Sequence, residues 1–113
     1  MHDYHEAMHI IEYATEQAKQ EQKDKVAKIH LVIGDSSSYS ADSIQMYLEQ
    51  NWAGTVCEGA QLCVRPVKTM LRCPKCGAMF ERKPFHYECP QCGAEGEPSE
   101  IGKEMEIESL EFA

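Results

Sequence analysis

Four of the six cysteines, and the histidine next to the first methionine, are the groups in this 113-residue chain whose types and spacing could do chemistry. The cysteines read CPKC at 73–76 and CPQC at 89–92, a C-x2-C-x12-C-x2-C pattern in which glycine follows each pair, as Gly77 and Gly93. Two residues between cysteines let a tight turn aim both sulfurs at one ion, and the glycine permits the backbone conformation that follows. Two such turns complete a tetrahedron of soft donors. Cys73, Cys76, Cys89 and Cys92 are therefore expected to hold Zn(II) in a structural role, with no position open for water or substrate. An iron–sulfur cluster or a pair of disulfides would use the same residues, and the spacing favours zinc over both. Cys57 and Cys63 lie outside the pattern and are read as small apolar residues without chemistry.

The second candidate is the opening, MHDYHEAMHI. On a helix His2, His5 and His9 fall on one side, and the reading preferred for His5 and His9 is a solvated polar face. His2 differs because a bulky second residue generally blocks removal of the initiator methionine, so Met1 is expected to keep a free amine. That amine, the His2 backbone nitrogen and the His2 ring nitrogen can close fused five- and six-membered chelate rings around one ion. Ionising a peptide nitrogen needs a metal that rewards a planar nitrogen field, which points to Ni(II) or Cu(II). The fourth position is open to the Asp3 backbone nitrogen or carboxylate, to His5, or to a side chain arriving from elsewhere.

These groups need elements to position them. Tyr4, Met8, Ile11, Ala14 and Ala18 recur at helical spacing, with Asp3 and Glu6 suited to capping the start and EQKDK at 21–25 to ending it. Ala27, Ile29, Leu31 and Ile33 alternate along a strand that stops at Gly34. After the loop DSSSYSAD, Ile44, Tyr47, Leu48 and Trp52 form a second helical stripe, started by Ser40 or Asp42 and closed by Gly54. Leu62, Val64 and Val67 suggest a second strand, which Pro66 pushes toward an edge or a bulge. A last strand starts at Met105 and Ile107, and its alternation slips at Ser109 as one bulge would cause. The predicted fold is α+β, two helices packed on a three-stranded sheet, with an inserted zinc-ribbon-like zinc-binding domain at 69–99. Residues 1–68, completed by 100–113, would form the other domain.

Length and composition narrow the class. A chain this short is one compact domain with at most a small appendage. It has no apolar run of membrane-spanning length and no secretory leader, so it reads as soluble and cytoplasmic, where thiols stay reduced. A net charge of −8, from 19 acidic against 11 basic residues, argues against a nucleic-acid partner and suits cationic cargo. The 69–99 segment is itself balanced in charge. Within it Phe80, Phe85 and Tyr87 are read as a mini-core rather than a docking surface, and His86 as a surface residue. No nucleophile–base pair, phosphate loop or open catalytic metal site is visible, so a carrier is favoured over an enzyme. A homodimer is left open. The competing reading is a zinc-ribbon interaction or nucleic-acid-binding module without nickel transfer.

Taken together, Met1-His2 with an acidic third residue and Tyr4, IGD at 33–35, Asp42, GTVCEGAQL at 54–62, the two CPxC turns and IGKEM at 101–105 resemble the HypA/HybF family of nickel metallochaperones for [NiFe] hydrogenase maturation. The likeness covers nearly the whole chain. It implies His2 as the essential nickel ligand, structural zinc on Cys73, Cys76, Cys89 and Cys92, and a nickel-binding α/β part carrying an inserted zinc part. It also implies two partners, the HypB GTPase and the [NiFe] hydrogenase large-subunit precursor. Asp3 stands where the family usually has Glu, and DSSSYS replaces a more apolar stretch that commonly reads ELSGV.

Overall fold

The structure, a computed structural model, describes residues 2–113. Helix α1 (His2–Glu21) ends where Gln22 takes φ 56° and the Lys23 N–H donates to the Ala18 carbonyl at 2.8 Å, a hydrogen-bonded C-terminal cap. Its buried stripe is Ala7, Ile10, Ile11, Ala14 and Ala18. Ile11, Ala14 and Ala18 are buried as expected, Met8 is half-buried against the core, and the stripe widens to Ala7 and Ile10 while Tyr4 stays exposed. The capping role expected of Asp3 is overturned. Asp3 already lies inside the first turn, where its charge suits the positive end of the helix dipole.

Strand β1 (Val26–Gly34) runs through the middle of the main sheet. Helix α2 (Ala41–Asn51) follows, and Ser40 caps it by accepting the Ser43 N–H on its hydroxyl at 3.4 Å, leaving Asp42 in the first turn. Trp52, not Gly54, makes the C-terminal cap by donating its N–H to the Leu48 carbonyl at 2.9 Å. Strand β2 (Gln61–Val67) then lies parallel to β1 as a βαβ unit, at the edge of the sheet where Pro66 needs no second partner.

The three short strands of the cysteine segment come next: β3 (Met70–Arg72), β4 (Met79–Glu81) and β5 (Glu97–Pro98), in the order β4-β3-β5. Strand β6 (Met105–Phe112) returns to pair antiparallel with β1 on its other side. The slip expected near Ser109 is real: Ser109 faces His30 and Ile107 faces Leu31, so Glu108 is the extra residue of a bulge. A second bulge at Ala27 turns that residue outward and puts Val26 in the core instead.

Ile10, Ile29, Leu31, Ile44 and Leu48 are fully buried between the helices and the sheet, each stabilising the fold by roughly 1.5–3 kcal/mol. The second cluster is far poorer, consisting of Leu71, Cys73, Phe80 and Cys89 with Ala78 and Ala94 against it. Half of its buried members are metal-binding types. Among the described residues no helix is long and apolar enough to cross a membrane.

Where β1 ends, backbones meet closely. A Cβ on Gly34 would lie 2.0 Å from the Gly102 carbonyl oxygen, and Gly102 itself has φ +107°. The Ser36 N–H and hydroxyl both donate to that carbonyl, at 2.9 and 2.8 Å, and the Thr69 hydroxyl donates to the Asp35 carboxylate. The β1–α2 loop is thereby tied to both chain crossings into the cysteine segment. Gly34→Ala is expected to destabilise the folded chain by about 2–3 kcal/mol, as overpacking against immovable backbone does. Urea unfolding measures it, and an unchanged midpoint would mean that this approach is not close in solution.

Candidate metal centres

The two cysteine turns are built alike. In the first, the Gly77 N–H donates to the Cys73 carbonyl at 3.0 Å and the Cys73 N–H to the Ala78 carbonyl at 2.8 Å; in the second, Gly93 and Cys89 repeat this with Cys89 and Ala94 at 2.8 and 2.7 Å. Gly77 and Gly93 take φ +75° and +76°, the conformation their spacing required. Backbone N–H groups of Cys76 and Gln91 also point at the sulfurs of Cys73 and Cys89, each at 3.4 Å.

All four sulfurs lie within 4.8 Å of one another, with Cys73 to Cys92 at 3.2 Å and Cys76 to Cys89 at 3.6 Å. A disulfide needs about 2.05 Å, whereas a tetrahedron of sulfurs about 2.3 Å from zinc has edges near 3.8 Å. The four cysteines are free thiols gathered at the spacing a single ion requires. Donor chemistry and geometry both fit Zn(II).

Their acidities tell the same story. The Cys76 backbone N–H pulls the Cys73 thiol down to about 6, and the Cys92 backbone N–H lowers Cys89. The Ala78 backbone N–H acts to lower Cys76, but the sulfurs of Cys73 and Cys89 outweigh it and push it up to about 11. For Cys92 the Ala94 N–H is likewise outweighed, by Cys73, desolvation and Cys89 together, and the thiol is raised. Four sulfurs this close cannot all ionise alone, and a dication removes that conflict. Cys57 differs in kind, buried in the main core and raised to about 11 by desolvation.

The amino terminus has an arrangement that helical spacing did not reveal. His2 is exposed, and its ring packs against Tyr39 with centroids 5.6 Å apart and planes tilted by 55°. His2 and Asp3 line a hollow of about 230 Å³ with Ser38, Ser43 and Tyr47. Two of those residues, Ser38 and Tyr39, belong to the loop DSSSYS, and Ser43 and Tyr47 to α2. Sequence reasoning missed all four, since no local pattern says that residue 39 returns to residue 2. Asp42 does not line the hollow, while the expected amine of Met1 lies outside the described residues.

The three histidines do not converge. His5 packs on Tyr4, and His9 on Tyr13 with its Nδ1 3.3 Å from Glu6. Among the described residues the four cysteines are the sole cluster of three or more metal-ligating side chains. The carboxylates of Glu108 and Glu111, lowered first by hydrogen bonds from Arg65 and His30, form exposed pairs on the sheet away from both sites.

Comparison with known proteins gives a consistent answer. The sequence model of the family described as "Hydrogenase/urease nickel incorporation, metallochaperone, hypA" matches residues 1–112. Hydrogenase maturation factor HypA of Caldanaerobacter subterraneus subsp. tengcongensis is 34% identical over 112 residues, 98% of each chain. The same factor of Chlorobaculum parvum is 32% identical over 110 residues, 97% of each. Among solved structures, a HypA protein in solution superposes with a TM-score of 0.76 at 27% identity, covering 100% of this chain and 97% of that one. The nickel metallochaperone HypA from Helicobacter pylori gives 0.65 at 25% identity, covering 97% and 96%.

Proposed function

Since the chain belongs to the HypA family of nickel-incorporation metallochaperones, a family of carriers and not of enzymes, we propose that it binds Ni(II) at its own amino terminus and delivers it to hydrogenase. The proposed ligands are the Met1 amine, the His2 backbone and ring nitrogens, and a fourth donor for which Asp3 is the nearest candidate. The observation that carries this reading is the position of His2: exposed, at the first described turn of α1, lining a hollow with Asp3 that no cysteine lines. A planar nitrogen field there suits Ni(II), and an exposed terminus with few ligands lets a partner take the ion away.

Cys73, Cys76, Cys89 and Cys92 would hold Zn(II), whose chemistry there is to cross-link two turns. The 69–99 segment is then a zinc-binding domain set into a nickel-binding one formed by 1–68 and 100–113. The poverty of its own apolar cluster supports that division. HypB and the [NiFe] hydrogenase large-subunit precursor are the proposed partners, in the cytoplasm. The family's description and its relatives' names, which speak of nickel incorporation and hydrogenase maturation, support the recipient's class.

Nickel titration of untagged, zinc-loaded protein tests the site. About one equivalent is expected to bind with the absorption of a planar centre. Acetylating the α-amine is expected to weaken binding by about 100-fold or more, since even loss of an outer-sphere partner costs a metal site about 10–100-fold. Undiminished affinity in the acetylated chain would exclude the amine, and with it the chelate proposed.

A further inference from the structure

Of the three aromatic residues expected to fill a mini-core in the cysteine segment, only Phe80 does so, at 8% exposure. Tyr87 is 44% exposed and Phe85 is 89% exposed. Phe85 stands at the tip of a hairpin turn over 83–86, closed by the His86 N–H donating to the Lys83 carbonyl at 3.1 Å. Pro84 followed by a residue at positive φ is the pattern of a type II turn, where glycine or asparagine is the usual choice. Here the residue is phenylalanine, at φ 64°. A bulky side chain in that conformation is an outlier, and such strain persists where something depends on it. The chain therefore bears two costs at one residue, backbone strain and an apolar ring in water, and nothing within the molecule offsets either.

The charge around the ring is also unusual for this protein. Arg82 and Lys83 are exposed at the tip, and among the described residues neither forms an ion pair. Nearby Glu81 is already taken by Lys68 at 3.2 Å, and Glu88, which lines a hollow with Lys83, does not come within ion-pair distance of it. In a chain of net charge −8, two unpaired cations precede the most exposed large apolar side chain among the described residues.

From this juxtaposition we propose that the 82–87 hairpin is a docking knob, Phe85 entering an apolar pocket on a partner protein and Arg82 and Lys83 meeting carboxylates on the pocket's rim. Full burial in a pocket recovers the whole apolar surface of the ring, and aromatic and arginine residues are the anchors that dominate such contacts. A membrane is disfavoured because one ring and two cations fall short of even a single acyl chain, which by itself holds a protein only marginally. Nucleic acid is disfavoured because two phosphate contacts must overcome the repulsion of the remaining charge. The proposal does not depend on which metal the amino terminus carries.

The test is site-specific photo-crosslinking in the cells that make the protein. p-Benzoylphenylalanine replaces the residue at position 85 of the full chain, and a control carries it at the exposed position 100. The expected result is one protein crosslinked from position 85 alone, through a peptide containing apolar residues next to Asp or Glu, with the yield falling about tenfold or more when Arg82→Glu and Lys83→Glu are added. Phe85→Ala should weaken binding of that purified partner by about 30-fold, the effect of losing a hot-spot anchor. Phe85→Gly should abolish docking while leaving the melting temperature of zinc-loaded protein equal or higher, because glycine accepts the turn's conformation. A lowered melting temperature would make Phe85 a structural anchor and overturn the proposal. So would crosslinks to a second copy of the chain, to lipid, to nucleic acid or to a peptide without acidic residues, and so would a yield no higher than at position 100.

Discussion

Removing zinc is expected to unfold residues 69–99 while the helices and main sheet stay intact. The segment's three strands span three, three and two residues, and its buried cluster holds only Leu71 and Phe80 besides Cys73 and Cys89. Two buried apolar side chains return far less than the backbone entropy lost in ordering the segment. Binding of structural zinc supplies about 10–16 kcal/mol at sites of this kind, so the ion accounts for most of the segment's stability. The main core has no such debt to the metal, since Ile10, Ile29, Leu31, Ile44 and Leu48 are buried far from the sulfurs. Hydrogen exchange on chelator-treated protein reads the difference. Amide protection at Leu71, Phe80 and Cys89 should vanish while that of Ile29 and Leu31 persists, and Cys73→Ser should have the same effect without chelator. Persisting protection at Phe80 would mean that the segment folds on its own contacts.

Replacing His2 by alanine should abolish equimolar nickel uptake and leave zinc content unchanged. An exposed side chain whose one ring contact is Tyr39 contributes little to folding, so stability should change by no more than about 0.5 kcal/mol. The chelate, by contrast, loses its only imidazole and with it the six-membered ring, and the remaining amine and amide nitrogens do not hold a planar ion alone. His5→Ala and His9→Ala serve as controls, each turned to a different neighbour and expected to bind nickel normally. Metal analysis after gel filtration decides it. Equal nickel in His2→Ala would move the cargo elsewhere in the molecule and end the amino-terminal proposal.

Local rules carried the reading of this chain as far as local physics reaches. The cysteine turns were legible because four ligands, two glycines and fixed spacing leave a single geometry. The bulge at Glu108 was legible because a period of two tolerates no extra residue without a visible slip. The stripe of α1 was legible at Ile11, Ala14 and Ala18 but not at its edges, since Tyr4 passes for a core residue in any helical count and Ala7 passes for filler. Only packing against α2 and the sheet distinguishes them. The setting of His2 was illegible for another reason: Tyr39 reaches it through a loop whose path depends on the Gly34–Gly102 contact, a relation between residues 68 apart. Phe85 defeated the rule that aromatic residues fill small cores, because the turn over 83–86 carries it away from the cluster in which Phe80 is the one ring.

The two outer strands of the main sheet have a further consequence for how the protein behaves when crowded. On β2, Pro66 withholds an amide donor from any newcomer; on β6, exposed Glu106 and the ion pairs of Glu108 with Arg65 and Glu111 with His30 keep the strand charged and polar toward a second copy. Both flanks thus resist growth into fibrils, leaving the chain protected from aggregation during the intervals when its sulfur segment is unmetallated and open.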